Sequence, residues 1–207
     1  MPSLFASSEL FDLIEKVEKG ERLDHNAGVR MMNSQDVLTL GYMANIVRER
    51  KNGHQTYFSV NRPFNYTNAQ DTTMLYGAME STEERITQLL QLRKLQDQTG
   101  EFLSFLPLGG GTSTGIEDLK VLAISRILLD NFDHIKAFWS FLGLKLTQVS
   151  LAFGVDDLDC NVVEERISNS GGTETNQVMT KRAMIHMIQK AGREAVERYG
   201  LGGSPCN

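Results

Sequence analysis

Hydrophobic positions along the chain follow two rhythms in turn. Leu10, Leu13, Ile14 and Val17 recur at i, i+3, i+4 and i+7, which predicts a helix packed on one face and closed by Gly20. A second helix is expected from Ser34 or Gln35 to about Lys51, ended by Asn52 and Gly53, with the strand GHQTYFSV at once behind it. TTMLYGA (72–78) reads as a buried strand. Ser81 to Glu84 then has the S-x-x-E form of a capping box, and the helix it starts carries Ile86, Leu89, Leu90, Leu92 and Leu95 before stopping at Gly100. FLSFLPL (102–108) is the next strand. A second capping box, Thr114 to Glu117, opens a helix through Ile116, Leu119, Leu122, Ala123, Ile127 and Leu128 to Asn131. HIKAFWSF (134–141) and QVSLAF (148–153) follow as strands, and Thr180 caps a last helix to about Tyr199.

Strand alternating with helix at these spacings means βαβ units, a parallel sheet and right-handed crossovers. The continuous apolar strands require cover on both faces. The chain shows no internal repeat and no low-complexity tract beyond the glycine-rich stretches at 109–111 and 200–203. Five strands are predicted, whereas a closed (β/α) barrel needs eight and about 250 residues. The expected fold class is therefore α/β, a partial TIM-type barrel with parallel strands, in a single domain over residues 1–207.

Composition narrows the function classes. With 207 residues, 41% of them hydrophobic, the chain can bury a sizeable core. A formal charge of −5 and an isoelectric point near 5.4, with no basic run, argue against nucleic acid and anionic membrane as partners. The apolar runs are too short to span a bilayer, and the N-terminus has acidic residues and lysines where a signal peptide needs an apolar stretch. A cytoplasmic protein with small-molecule or protein partners is expected. The only cysteines, Cys160 and Cys206, lack CxxC spacing, so neither a disulfide framework nor a zinc site is signalled, and an iron–sulfur cluster held by three cysteines is excluded by count.

The wording of several segments adds to this pattern. NRPFNYTN (61–68), DNFDHIKAFW (130–139), FGVDDLD (153–159) and the tail KRAMIHMIQKAGREAVER (181–198) resemble the aminofutalosine synthase family, radical S-adenosylmethionine enzymes of the futalosine route to menaquinone. The resemblance runs through most of the chain, and a sister cyclase of the same route fits less well at VSLAFGVDDLD. It implies a [4Fe–4S] cluster on a CxxxCxxC loop just after NYTN, reducing S-adenosylmethionine to a 5′-deoxyadenosyl radical. That radical adds to the enol-ether double bond of 3-[(1-carboxyvinyl)oxy]benzoate, an aryl carboxylate.

The chain departs from that family at the site itself. Asn68 is followed by Ala69, Gln70 and Asp71 and then by what resembles the family's middle strand, so the cluster loop and the strands that bind S-adenosylmethionine are missing between residues 1–68 and 72–207. A second abridgement is read at Gly109, Gly110 and Gly111; Pro63, Phe64 and Ala78 stand where His-Ile and His are expected. No catalytic residue, metal ligand or resident cofactor is assigned to this chain, and whether it is an enzyme is left open. The alternative reading is a non-catalytic binding module or a gene remnant.

Each candidate site residue has a functional and a structural reading. Asn61 and Arg62, after the first strand, orient a substrate carboxylate through a guanidinium fork, or Arg62 closes the barrel floor. Tyr76 and Glu80, at the end of another strand, carry the same two readings. The loop from Gly109 to Gly115, ending on Thr114 and a helix N-terminus, cradles a carboxylate or phosphate, or is a flexible splice. Asp156, Asp157 and Asp159, placed after the strand QVSLAF, bind ribose hydroxyls or a cation, or form a solvated turn. His25, His54, His134 and His186 show no metal-ligand spacing and are read as surface or core residues; Cys160 is an ordinary small residue, and Met31 and Met32 fill core. The partner expected for the site is a small aryl carboxylate, and unclosed barrel edges are expected to promote self-association.

Overall fold

The computed structural model describes residues 5–60, 71–77, 80–111, 113–159, 162–163 and 179–198. Three helices lead: α1 (Phe11–Lys19), α2 (His25–Asn33) and α3 (Val37–Asn52). Then come β1 (Gln55–Phe58), β2 (Asp71–Tyr76), α4 (Thr82–Thr99), β3 (Ser104–Gly109), α5 (Gly115–Leu128) and β4 (His134–Phe138). The single turn α6 (Trp139–Leu142), α7 (Leu144–Ser150), β5 (Asp157–Asp159), β6 (Val162–Val163), β7 (Met179–Thr180), α8 (Lys181–Lys190) and β8 (Glu194–Glu197) complete the order.

Local chemistry explains the helix ends. Leu13, Ile14 and Val17 of α1 are buried, and Gly20 closes it in the left-handed region at φ 76°, which a glycine adopts without Cβ strain. Ser81 and Glu84 form the reciprocal capping box at α4. Thr114 accepts from the Glu117 amide at α5, and Thr180 from the Ala183 amide at α8. Helix α2 was not foreseen, because its nine residues HNAGVRMMN include Gly28 and show no extended apolar period. Packing explains that glycine: a Cβ on Gly28 would meet Ile86 Cγ2 of α4 at 2.6 Å.

Six strands form one parallel sheet in the order β2-β3-β4-β5-β1-β8, and β6 and β7 form a separate parallel pair. Consecutive β1 and β2 are thus separated by three strands, and β2 stands at one edge of the sheet with β8 at the other. One face carries Thr56, Phe58, Met74, Tyr76, Phe105, Ile135, Ala137 and Leu158, all buried, and most of them join the main core with the helices. Among the described residues no helix is long and apolar enough to cross a membrane.

Three expectations need correction. QVSLAF is not a strand: α7 and a 3-10 turn over Leu151–Phe153 occupy it, with Thr147 and Ser150 buried and Val149 46% exposed. That burial has a helical period, which a short apolar run does not reveal. The fifth strand is DLD, after Gly154 turns the chain at φ 88°. HIKAFWSF gives up its strand after Phe138, where α6 begins. The last helix ends at Lys190 rather than near Tyr199, and after Gly192 (φ 74°) the segment Glu194–Glu197 pairs in parallel with β1.

Candidate functional site on the inner sheet face

Register places a second set of side chains on the face opposite the main core. Asp71, Ser104 and His134 stand in one row across β2, β3 and β4. Lys136, Asp157 and Tyr57 stand in the next row across β4, β5 and β1. Closer to the strand C-terminal ends, Leu106, Leu108 and Phe138 form a separate buried apolar cluster. The period of two along each strand puts all of them on one face.

The polar row is internally paired. Lys136 Nζ donates to Asp71 Oδ2 at 2.7 Å, and the Ser104 hydroxyl donates to the other oxygen of that carboxylate. Arg198, just past β8, donates to Asp157 Oδ2 at 2.9 Å and lies 4.3 Å over the Tyr57 ring. The Tyr57 ring meets the His134 ring edge-on at 4.9 Å, and its hydroxyl donates to Gln55 at 2.7 Å. Burial pushes the Tyr57 phenol above its ordinary range, and nearby Asp156 and Asp157 act in the same direction against Arg198.

Beneath these rows lies a fully buried ion pair. Asp156 and Arg126 have no exposed side-chain surface and are joined through Arg126 Nη2. The Ile135 amide donates to Asp156 Oδ1 at 2.9 Å, Asn52 Nδ2 to Oδ2 at 2.8 Å, and His134 Nδ1 lies 2.5 Å from Oδ2. Arg126 also donates to the Gly154 and Asp133 carbonyls. Burial alone would raise the Asp156 pKa, but Arg126 and the His134 hydrogen bond outweigh it and hold the carboxyl below the usual range.

These positions revise the site expected from sequence. Asp156 precedes β5, at the N-terminal floor of the sheet, because the strand begins at Asp157 instead of ending at Phe153. Its carboxylate is consumed by the floor network. Asp157 does face the inner side, in the same row as Lys136. Tyr76 turns to the helix side: its hydroxyl donates to Asp118 Oδ1 of α5 at 2.6 Å, and burial first, then Asp118, raises its pKa strongly. Glu80 accepts from the Gly77 amide at 2.6 Å and from Arg85 Nη2 at 2.7 Å, while Arg85 Nη1 reaches Glu117 at 2.9 Å. Thr114 caps α5. Tyr76, Glu80 and Thr114 therefore brace the rim around Gly109 and Gly110, where the Gly110 amide donates to the Tyr76 carbonyl at 2.6 Å. Asn61, Arg62, Ala78, Cys160 and Cys206 lie outside the described residues.

Sequence reasoning missed Asp71, Ser104, His134 and Lys136. Their signal was present in HIKAF, where two polar residues at a period of two interrupt a strand buried at every position. Among the described residues, no group of three His, Cys, Asp or Glu side chains could hold a metal ion.

Comparison with known proteins places this geometry. Residues 95–200 match the family described as the CofH/MqnC C-terminal region. The chain is 44% identical over 162 residues to the aminodeoxyfutalosine synthase of Thermus thermophilus, covering 72% of this chain and 42% of that protein. It is 40% identical over 146 residues to the 5-amino-6-(D-ribitylamino)uracil--L-tyrosine 4-hydroxyphenyl transferase 1 of Methanosarcina mazei, covering 62% of this chain and 39% of that protein. The chain thus spans about two fifths of the length of these curated relatives. The fold is similar to that of the FeFe-hydrogenase maturase HydG from Carboxydothermus hydrogenoformans, with a TM-score of 0.67 at 9% identity, covering 96% of this chain and 82% of that one. The six-stranded sheet is accordingly part of a TIM-type α/β fold.

Proposed function

Because the chain belongs to the family of the CofH/MqnC C-terminal region, we propose that it keeps the substrate-holding part of an aminofutalosine synthase-type site in menaquinone biosynthesis and does not itself generate the radical. The ligand is an aryl carboxylate of the 3-[(1-carboxyvinyl)oxy]benzoate class. The relatives carry names of an aminodeoxyfutalosine synthase and a 4-hydroxyphenyl transferase, which supports an aromatic ligand. The observation that carries the reading is the inner face, where the cations Lys136 and Arg198 lie below an apolar patch of Leu106, Leu108 and Phe138.

A ring packed on that patch loses water contact while its carboxylate meets a cation, which is the pairing an aryl acid needs. Asn61 and Arg62, shortly after β1, are proposed to supply further carboxylate ligands, with Asp157 orienting Arg198 from the second polar row.

The residues present do not fit a [4Fe–4S] cluster. Three thiolates are needed to leave one iron open, and the sequence holds two cysteines separated by the segment from 161 to 205. No step of the chemistry is therefore routed through a cluster in this chain.

Titration with 3-[(1-carboxyvinyl)oxy]benzoate by calorimetry or NMR tests the reading. Saturable binding between about 0.1 and 1 mM is expected, because one guanidinium pairing and partial ring burial supply only a few kcal/mol. Arg62→Ala should weaken it. No saturable shift up to several millimolar would overturn the reading, and turnover to aminofutalosine with S-adenosylmethionine and a reductant would overturn the non-radical part.

A further inference from the structure

Arg198 reaches the inner face only by way of the strand that precedes it. β8 stands at the sheet edge and pairs with β1 alone, in parallel register from Gln55 with Glu194 to Phe58 with Glu197. The Glu194 amide donates to the His54 carbonyl at 2.9 Å and the Arg198 amide to the Phe58 carbonyl at 2.8 Å, which pins the strand at both ends. Glu194 is exposed and the other three strand residues are only partly buried, so little apolar burial holds the strand down. An edge strand of four residues with one neighbour belongs to the low end of local stability.

Side chains supply the missing hold. Just before the strand, Arg193 keeps 9% of its side-chain surface exposed. Its Nη2 donates to Asn45 Oδ1 of α3 at 2.5 Å and to the Leu151 carbonyl at 3.3 Å, and its Nη1 lies 3.6 Å from Glu49 Oε1. The buried Arg48 donates to the same Asn45 oxygen at 3.1 Å and to the same Glu49 oxygen at 3.2 Å, so α3 fixes the seat that Arg193 enters. Within the strand, Glu197 accepts from Lys181 Nζ of α8 at 2.7 Å. Beyond it, the Arg198 guanidinium gives Nη1 to Asp157 and lies over the Tyr57 ring. Among the described residues Asp157 is the only acceptor for that guanidinium, which leaves it donors to spare.

We propose that Arg193 is a positioning residue of the ligand site: by clasping α3 it keeps β8 on β1, and the docked strand holds Arg198 where its remaining donors receive the carboxylate of the aryl acid. The inference rests on the aryl-carboxylate reading and adds that ligand binding and β8 docking reinforce each other. Arg193 acts through Arg198, since the two stand about 16 Å apart along extended chain and Arg193 is turned to α3. An undocked β8 takes the guanidinium away from Asp157 and Tyr57, and the ligand binds that state more weakly by the lost pairing.

NMR titration of 3-[(1-carboxyvinyl)oxy]benzoate into the full chain, Arg193→Ala, Arg198→Ala and the double variant tests this. Arg193→Ala should weaken binding about tenfold, the worth of one charge-assisted pairing. In the Arg198→Ala background the same substitution should change binding by less than about twofold, because the group it positions has gone. Equal weakening in both backgrounds is general damage and overturns the proposal, as does native-like binding by Arg193→Ala. Should Arg193→Ala fail to fold, amide exchange of the native chain decides: the benzoate at about ten times its Kd should slow exchange of the Arg198 amide about tenfold, and an unchanged rate overturns the proposal. No binding to the native chain defeats the aryl-carboxylate reading and the proposal with it, a result distinct from binding that is indifferent to Arg193.

Discussion

The floor of the sheet and the edge at β2 are built on opposite plans. At the floor, Asp156 and Arg126 have no exposed surface, and they spend their hydrogen-bonding capacity on each other and on groups from α3, β4 and the segments just before β4 and β5. At the edge, Leu75 of β2 is 74% exposed and Leu95 of α4 is 41% exposed, beside a groove of about 450 Å³ lined by Thr73, Met74, Gln88 and Leu92. An apolar side chain so exposed on an edge strand invites another chain. The difference teaches that the strands near β4 and β5 carry complete tertiary pairing, whereas β2 is furnished as an interior strand and stands at a margin.

Removing one partner at the floor should have the largest effect. Asp156→Ala leaves Arg126 buried without a counter-charge and is expected to cost about 3–5 kcal/mol by urea unfolding; a loss under about 1 kcal/mol would mean that the floor does not bear on stability. Acid tests the same group without mutation. The folded carboxyl is depressed below the ordinary aspartate value, so its contribution is fully present above that value and is lost as pH falls through the lower folded one. Acid unfolding should therefore steepen below about pH 4 in the native chain and flatten there in Asp156→Asn.

Smaller effects are expected toward the rim and the edge. Tyr76→Phe leaves Asp118 without its 2.6 Å donor and should cost about 1–3 kcal/mol, with faster amide exchange at Gly110 as the local signature. Leu75→Lys should change stability by no more than about 0.5 kcal/mol. Its expected signature is in solution size: we propose that the native chain self-associates through the β2 edge, so light scattering at high concentration should show less association in the variant. A monodisperse native monomer would remove the contrast between the two regions.

Legibility in the sequence followed range. Both capped helices, α4 and α5, were readable at their starts because the cap and its amide lie three residues apart. The strand within FLSFLPL was readable because its residues from Ser104 to Leu108 are all buried, and the resemblance in DNFDHIKAFW and FGVDDLD led to the correct family. The placement of Asp156 was misread. In one dimension an acid after an apolar run looks like a strand C-terminal end, and only the pairing of Asp157 with Tyr57 and Lys136 shows that the strand starts there.

By itself, then, the amino-acid sequence determined what depends on near neighbours: where α1, α4 and α5 begin or end, that strands and helices alternate, and that too few cysteines are present for a three-thiolate cluster. Tertiary structure alone decided which face each strand residue serves and which charges meet. Asp156 finds Asn52, Arg126 and His134 across 104, 30 and 22 residues. No local period encodes such pairings, because burying an ion pair is favourable only when distant donors converge to replace the water it loses.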